Sequence, residues 1–123
     1  MSNLVPRAES IPPAAPSEKG PVVSILSGDP DMLELIQLFV DEIPERARSL
    51  RDFWERKEFA ELRRIAHQLK GAGGGYGFPT LGNAAGTLER QLNIAMESQT
   101  PDLTSIARQV DELLSLCNRV RTT

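Results

Sequence analysis

Near neutral pH a large fraction of imidazole is unprotonated, so one ring nitrogen of a histidine is free to attack phosphorus and hold a phosphoryl group for a short time. The chain has one histidine, His67, within Ala66-His67-Gln68-Leu69-Lys70-Gly71. At about 100° per residue, Leu62, Ile65, Leu69, Ala72 and Tyr76 share one helix face, while Ala60, Arg63, Arg64, His67, Lys70, Gly71 and Gly74 share the other. The imidazole is therefore expected to point at solvent. Lys70 follows at the spacing that brings its ammonium beside the ring, where it can attract phosphate oxygens. Gly71 and then Gly74 remove side chains that would cover the imidazole. Arg63 and Arg64 extend a basic rim suited to an acidic partner surface. A lone surface histidine in an arbitrary helix is usually inert, and these cations can also be read as an ordinary solvated face. The flanks are what set His67 apart.

Other chemistries find less support. The run Gly71-Ala72-Gly73-Gly74-Gly75-Tyr76-Gly77 lacks the Gly-Lys-Ser/Thr that a phosphate-binding loop needs, and no strand precedes it as a dinucleotide fingerprint requires. With one cysteine, Cys117, and one histidine there is no intramolecular disulfide and no zinc-type ligand set, so no metal site is expected. Cys117 is expected as a small buried residue on a helix. A net charge of −3 and a pI near 5.2, without a Lys/Arg block, argue against nucleic acid. No apolar run reaches the ~20 residues of a membrane span, and no signal-peptide core opens the chain, so a cytoplasmic location is expected.

The elements that must position His67 follow from periodicity. Residues 1–21 hold five prolines (Pro6, Pro12, Pro13, Pro16 and Pro21) and are expected to form a disordered Pro-rich tail, with residues 22–123 as one folded domain. Pro21-Val22-Val23-Ser24-Ile25-Leu26 is expected to pack, extended or as a single turn, against one end of the domain. Asp29-Pro30-Asp31 combines a capping side chain, a proline at the first helical position and an acid favourable to the helix dipole. From there Leu33, Ile36, Val40, Ile43, Ala47, Leu50 and Trp54 step at helical spacing straight through Pro44. That register predicts one kinked helix over roughly 30–55, the alternative being a break at Ile43. A second helix is expected to start near Lys57 and to run to about Gly75, because Ala72 and Tyr76 keep the inward register and Gly77-Phe78-Pro79 is the stronger stop. The alternative is an end at Gly71. Pro79 opens a third helix with Leu81, Ala84, Ala85, Leu88, Leu92 and Ala95 inward, thin where Gly82 and Gly86 lie. Thr100-Pro101-Asp102 opens a fourth with Leu103, Ile106, Val110, Leu113, Cys117 and Val120. The prediction is an all-α, antiparallel up-down four-helix bundle.

Ala66-His67-Gln68-Leu69-Lys70-Gly71, then Tyr76-Gly77-Phe78, Leu81, Ala84, Ala85 and Leu88-Glu89, resembles the histidine-containing phosphotransfer (HPt) domain of multistep phosphorelays over roughly residues 30–120. The resemblance implies that His67 is the phosphoacceptor, that Lys70 helps hold the phosphoryl group and that Gly71 keeps the site open. It implies a monomer without ATP or any cofactor of its own, working with response-regulator receiver domains, which bring the Mg²⁺, and with hybrid histidine kinases. Arg63, Arg64 and Gly74 would then face the docked receiver. Dimeric sensor kinases differ, since an acid usually follows their histidine and a proline comes several residues later; here Gln68 and Gly71-Ala72 stand in that region. A third reading is a helical interaction module that leaves His67 unused.

Overall fold

Four amphipathic stripes joined by short connections do fold into four packed helices. The computed structural model describes residues 20–122. Apart from Gly20 and Pro21, the expected Pro-rich tail lies outside the described residues. A two-residue strand β1 (Val22–Val23) precedes α1 (Pro30–Glu55), α2 (Phe59–Gly75), α3 (Pro79–Met96), α4 (Leu103–Arg119) and a second short strand β2 (Val120–Arg121). Successive helices pack side by side, and α1 also meets α4, which closes an up-down bundle around one core. Ile36, Phe39, Ile43, Leu50, Leu62, Leu69, Phe78, Leu81, Leu88, Leu92, Ile106, Val110 and Leu113 fill that core.

Local chemistry explains where each helix begins and ends. The Asp29 carboxylate accepts from the Asp31 N–H at 3.0 Å and Pro30 occupies the first turn, so α1 starts where the sequence predicts. The helix continues through Pro44 to Glu55, because a proline forfeits one hydrogen bond whereas a break would turn the stripe of Ile36, Ile43, Ala47 and Leu50 out of the core. Phe39 joins that stripe more deeply than the expected Val40 and stacks on Tyr76 at 5.1 Å. The end of α2 is a Schellman cap. Gly77 takes φ 85°, the Phe78 N–H reaches the Gly73 carbonyl at 2.7 Å, and the Phe78 ring is buried. Helix α2 thus runs to Gly75, as the register of Ala72 and Tyr76 requires.

Two expectations need correction. Helix α2 starts at Phe59 rather than near Lys57, because Lys57 adopts φ 56° and closes α1 in a second Schellman cap, with Glu58 N–H on the Phe53 carbonyl at 2.9 Å. Leu103, expected inward, is 43% exposed in the first turn of α4. The apolar 22–26 segment packs as expected, extended at Val22–Val23 and against one end of the domain. Val22 and Val23 pair in parallel with Val120 and Arg121, the Ser24 hydroxyl donates to the Tyr76 carbonyl at 2.6 Å, and Ile25 N–H donates to the Gly77 carbonyl at 2.8 Å. This clasp ties the chain entering α1 to the end of α4 and to the α2–α3 turn.

Candidate functional site

Helix α2 carries His67 outward because Leu62, Ile65, Ala66 and Leu69 occupy its inward face. The His67 side chain is 66% exposed. Helix α3 approaches α2 very closely: a Cβ on Gly73 would lie 2.9 Å from the Gly82 nitrogen, and one on Gly82 would lie 3.2 Å from the Lys70 carbonyl. Along the same contact the Lys70 stem crosses Gly86, whose missing Cβ would sit 3.1 Å from Lys70 Cδ. Two thin helix faces therefore bring a residue of α3 within reach of the imidazole.

That residue is Glu89, the one acidic side chain of α3. One of its carboxylate oxygens, Oε2, lies 2.7 Å from His67 Nδ1 and the other, Oε1, lies 2.9 Å from Lys70 Nζ. The Glu89 side chain is 15% exposed, against 48% for Lys70. The Lys70 hydrogen bond, with a further contribution from His67, outweighs the opposing effect of burial and holds the Glu89 carboxyl below its ordinary value of 4.5. An ionised carboxylate only accepts hydrogen bonds, so the shared proton is assigned to Nδ1. In the neutral ring Nε2 then carries the lone pair.

The other predicted residues fall around this pair. Arg63 and Arg64 line one shallow depression with Ala60, His67 and Glu89. The Arg63 guanidinium donates to Asn93 Oδ1 on α3 at 2.9 Å, and Arg64 pairs with Glu61 at 2.6 Å. Gly71 and Gly74 are exposed, and nothing lies within 4 Å of a Cβ built on either, so the α2 surface beyond His67 is bare. Gln68 is tied to α1 by the Arg46 guanidinium at 3.1 Å. Another depression, over Glu45, Arg48, Ser49, Arg51, Asp52 and Glu55, lies along α1 alone and contains no histidine or cysteine.

Sequence reasoning assigned no role to Glu89 or Asn93. Both are polar positions on α3, Glu89 directly after the buried Leu88 and Asn93 directly after the buried Leu92. A lone carboxylate at the edge of an apolar stripe was the available signal, but its partner depends on the rotation of α3 against α2. Cys117 is buried as expected, and burial pushes its thiol up to about 12. Among the described residues there is no cluster of His, Cys, Asp and Glu able to hold a metal ion, and no helix is long and apolar enough to cross a membrane.

Comparison with known proteins bears on this arrangement. No curated protein and no solved structure gives a match. The family model of the Hpt domain matches residues 34–123. That span contains α2, α3 and α4 with most of α1, His67 and Glu89 included, and on that footing the chain belongs to the Hpt domain family, the phosphocarriers of histidine phosphorelays.

Proposed function

We propose that the protein accepts a phosphoryl group on His67 from the phospho-aspartate of a receiver domain and passes it to another receiver. The observation that carries this reading is the solvent-facing imidazole whose Nδ1 is engaged by Glu89, since it leaves Nε2 as the outward nucleophile. In the forward step the Nε2 lone pair forms the bond to phosphorus while the bond from phosphorus to the acyl oxygen breaks, and its electron pair leaves on the receiver's carboxylate. Nδ1 keeps its proton, and the Glu89 carboxylate offsets the positive charge that the ring gains. The receiver brings the Mg²⁺ that such a transfer needs.

Lys70 stands beside the ring to support the phosphoryl oxygens, and the open Gly71 gives them room. Arg63, Arg64 and Gly74 form the surface against which the receiver docks. Lys70 is half exposed, so its help is screened and worth about 1 kcal/mol or less. Lys70→Ala is expected to slow transfer without abolishing it. The protein acts as a monomeric cytoplasmic carrier with no ATP site and no autokinase activity, between receivers and hybrid histidine kinases.

Incubation with a phosphorylated receiver tests the reading. Wild type should take up phosphate that is labile to acid and stable to alkali, and His67→Gln should take up none while keeping its helical spectrum and unfolding midpoint. Label on the mutant would overturn the assignment. Receiver binding indifferent to His67, with no uptake by wild type, would favour the interaction-module reading.

A further inference from the structure

The cations around His67 are not equivalent. Lys70 is paired with Glu89 at 2.9 Å, Arg64 with Glu61 at 2.6 Å and Arg46 with Glu42 at 3.1 Å, so each of these pairs is close to neutral as a unit. Arg63 differs. It bonds the side-chain oxygen of Asn93 at 2.9 Å, an uncharged acceptor, and makes no ion pair among the described residues. Arg90 of α3 likewise bonds a hydroxyl, that of Thr87 at 3.2 Å, but does not line the depression that holds His67. Arg63 stands one turn before His67 on the same face of α2, and both line the same depression. It is partly buried where Arg64 is exposed. A hydrogen bond across to α3 also fixes a long side chain in advance, which lowers the rotamer entropy lost when it grips an anion. One donor is engaged by Asn93, and the guanidinium has four more.

We propose that Arg63 is the side chain that grips the phosphoryl group, and that Asn93 is its positioning residue. The proposal rests on the reading of His67 as phosphoacceptor. When phosphorus forms its bond to Nε2 and releases the receiver's carboxylate, the guanidinium donates to the peripheral phosphoryl oxygens, on which negative charge is spread throughout the transfer. Lys70 acts on the same oxygens from a pair already neutralised by Glu89, and Arg64 serves the outer docking surface.

The test is the kcat/KM for phosphate uptake from a phosphorylated receiver, measured on the full chain. Arg63→Ala should lower it about ten-fold and through kcat, Arg63→Lys less, and Arg64→Ala about three-fold and through KM alone, because Arg64 serves docking and not the transferring group. Asn93→Ala frees the guanidinium and should cost about three-fold. Asn93→Asp is the deciding variant. Aspartate holds the arginine at least as firmly but cancels its charge, so transfer should fall to the level of Arg63→Ala, whereas a merely structural tie would leave it at the wild-type rate. Equal effects of Arg63→Ala and Arg64→Ala, or wild-type transfer by Asn93→Asp, would overturn the proposal while phosphate still enters His67. A wild-type chain that takes up no phosphate would instead overturn the reading on which it rests.

Discussion

Replacing Glu89 with glutamine separates the two things its carboxylate does. The amide oxygen can still accept from Nδ1, but the anion that anchors Lys70 and steadies a positively charged ring is gone. Loss of a hydrogen bond to a charged group on this scale, roughly 1.4 kcal/mol, should slow phosphate uptake about ten-fold. Stability should respond to pH in one direction. The Glu89 carboxyl is held below its ordinary 4.5, so its contribution is complete above that value and is lost as pH falls through the lower folded-state value. Unfolding of wild type and Glu89→Gln measured across this acid range should show a difference that shrinks as the pH drops. At this scale the sequence exposed half of the site. His67, Lys70 and the open glycines lie on one helix and share a face by arithmetic, whereas Glu89 and Asn93 reach them across a helix contact whose rotation no single-helix pattern specifies.

Helices α2 and α3 carry two kinds of glycine, and substitution should separate them by sign. An alanine methyl at Gly73 would meet the Gly82 backbone at 2.9 Å, so Gly73→Ala must push the helices apart. It should cost about 1–3 kcal/mol and slow transfer, because the same approach holds Glu89 on His67. Gly71→Ala meets open space within a helix and should raise stability by up to ~1 kcal/mol in thermal or denaturant unfolding. Its methyl stands on the bare surface beyond His67, so a gain in stability should accompany slower transfer. The four stripes and the end of α2 were legible because a helical period and a Gly-Phe-Pro stop are local signals. The start of α2 was not: Lys57 takes a left-handed φ of 56° that a glycine usually marks, and its ammonium instead bonds the Trp54 carbonyl at 3.0 Å and covers the Trp54 ring. The terminal clasp was also hidden, because a two-residue strand pair joins segments almost 100 residues apart in the chain.

Across the whole molecule, the basic rim around His67 belongs to a chain of net charge −3. In the proposed function, attraction to an acidic receiver surface is local and rests mainly on Arg63, since Lys70 and Arg64 are paired with Glu89 and Glu61, and the rate of transfer should fall as salt rises while the fold persists. The same bundle seals Cys117 among the core residues and pushes its thiol up to about 12. A thiol reagent should label it only as fast as the bundle opens, and rapid labelling of the native protein would contradict the packing. The central claim is that Glu89 leaves Nε2 of His67 as the nitrogen that takes phosphate. Long-range ¹H–¹⁵N spectra of the chain after charging by a phosphorylated receiver test it most directly. Phosphorus is expected on Nε2 with the proton retained on Nδ1. Phosphate on Nδ1, or on any other residue, would contradict it.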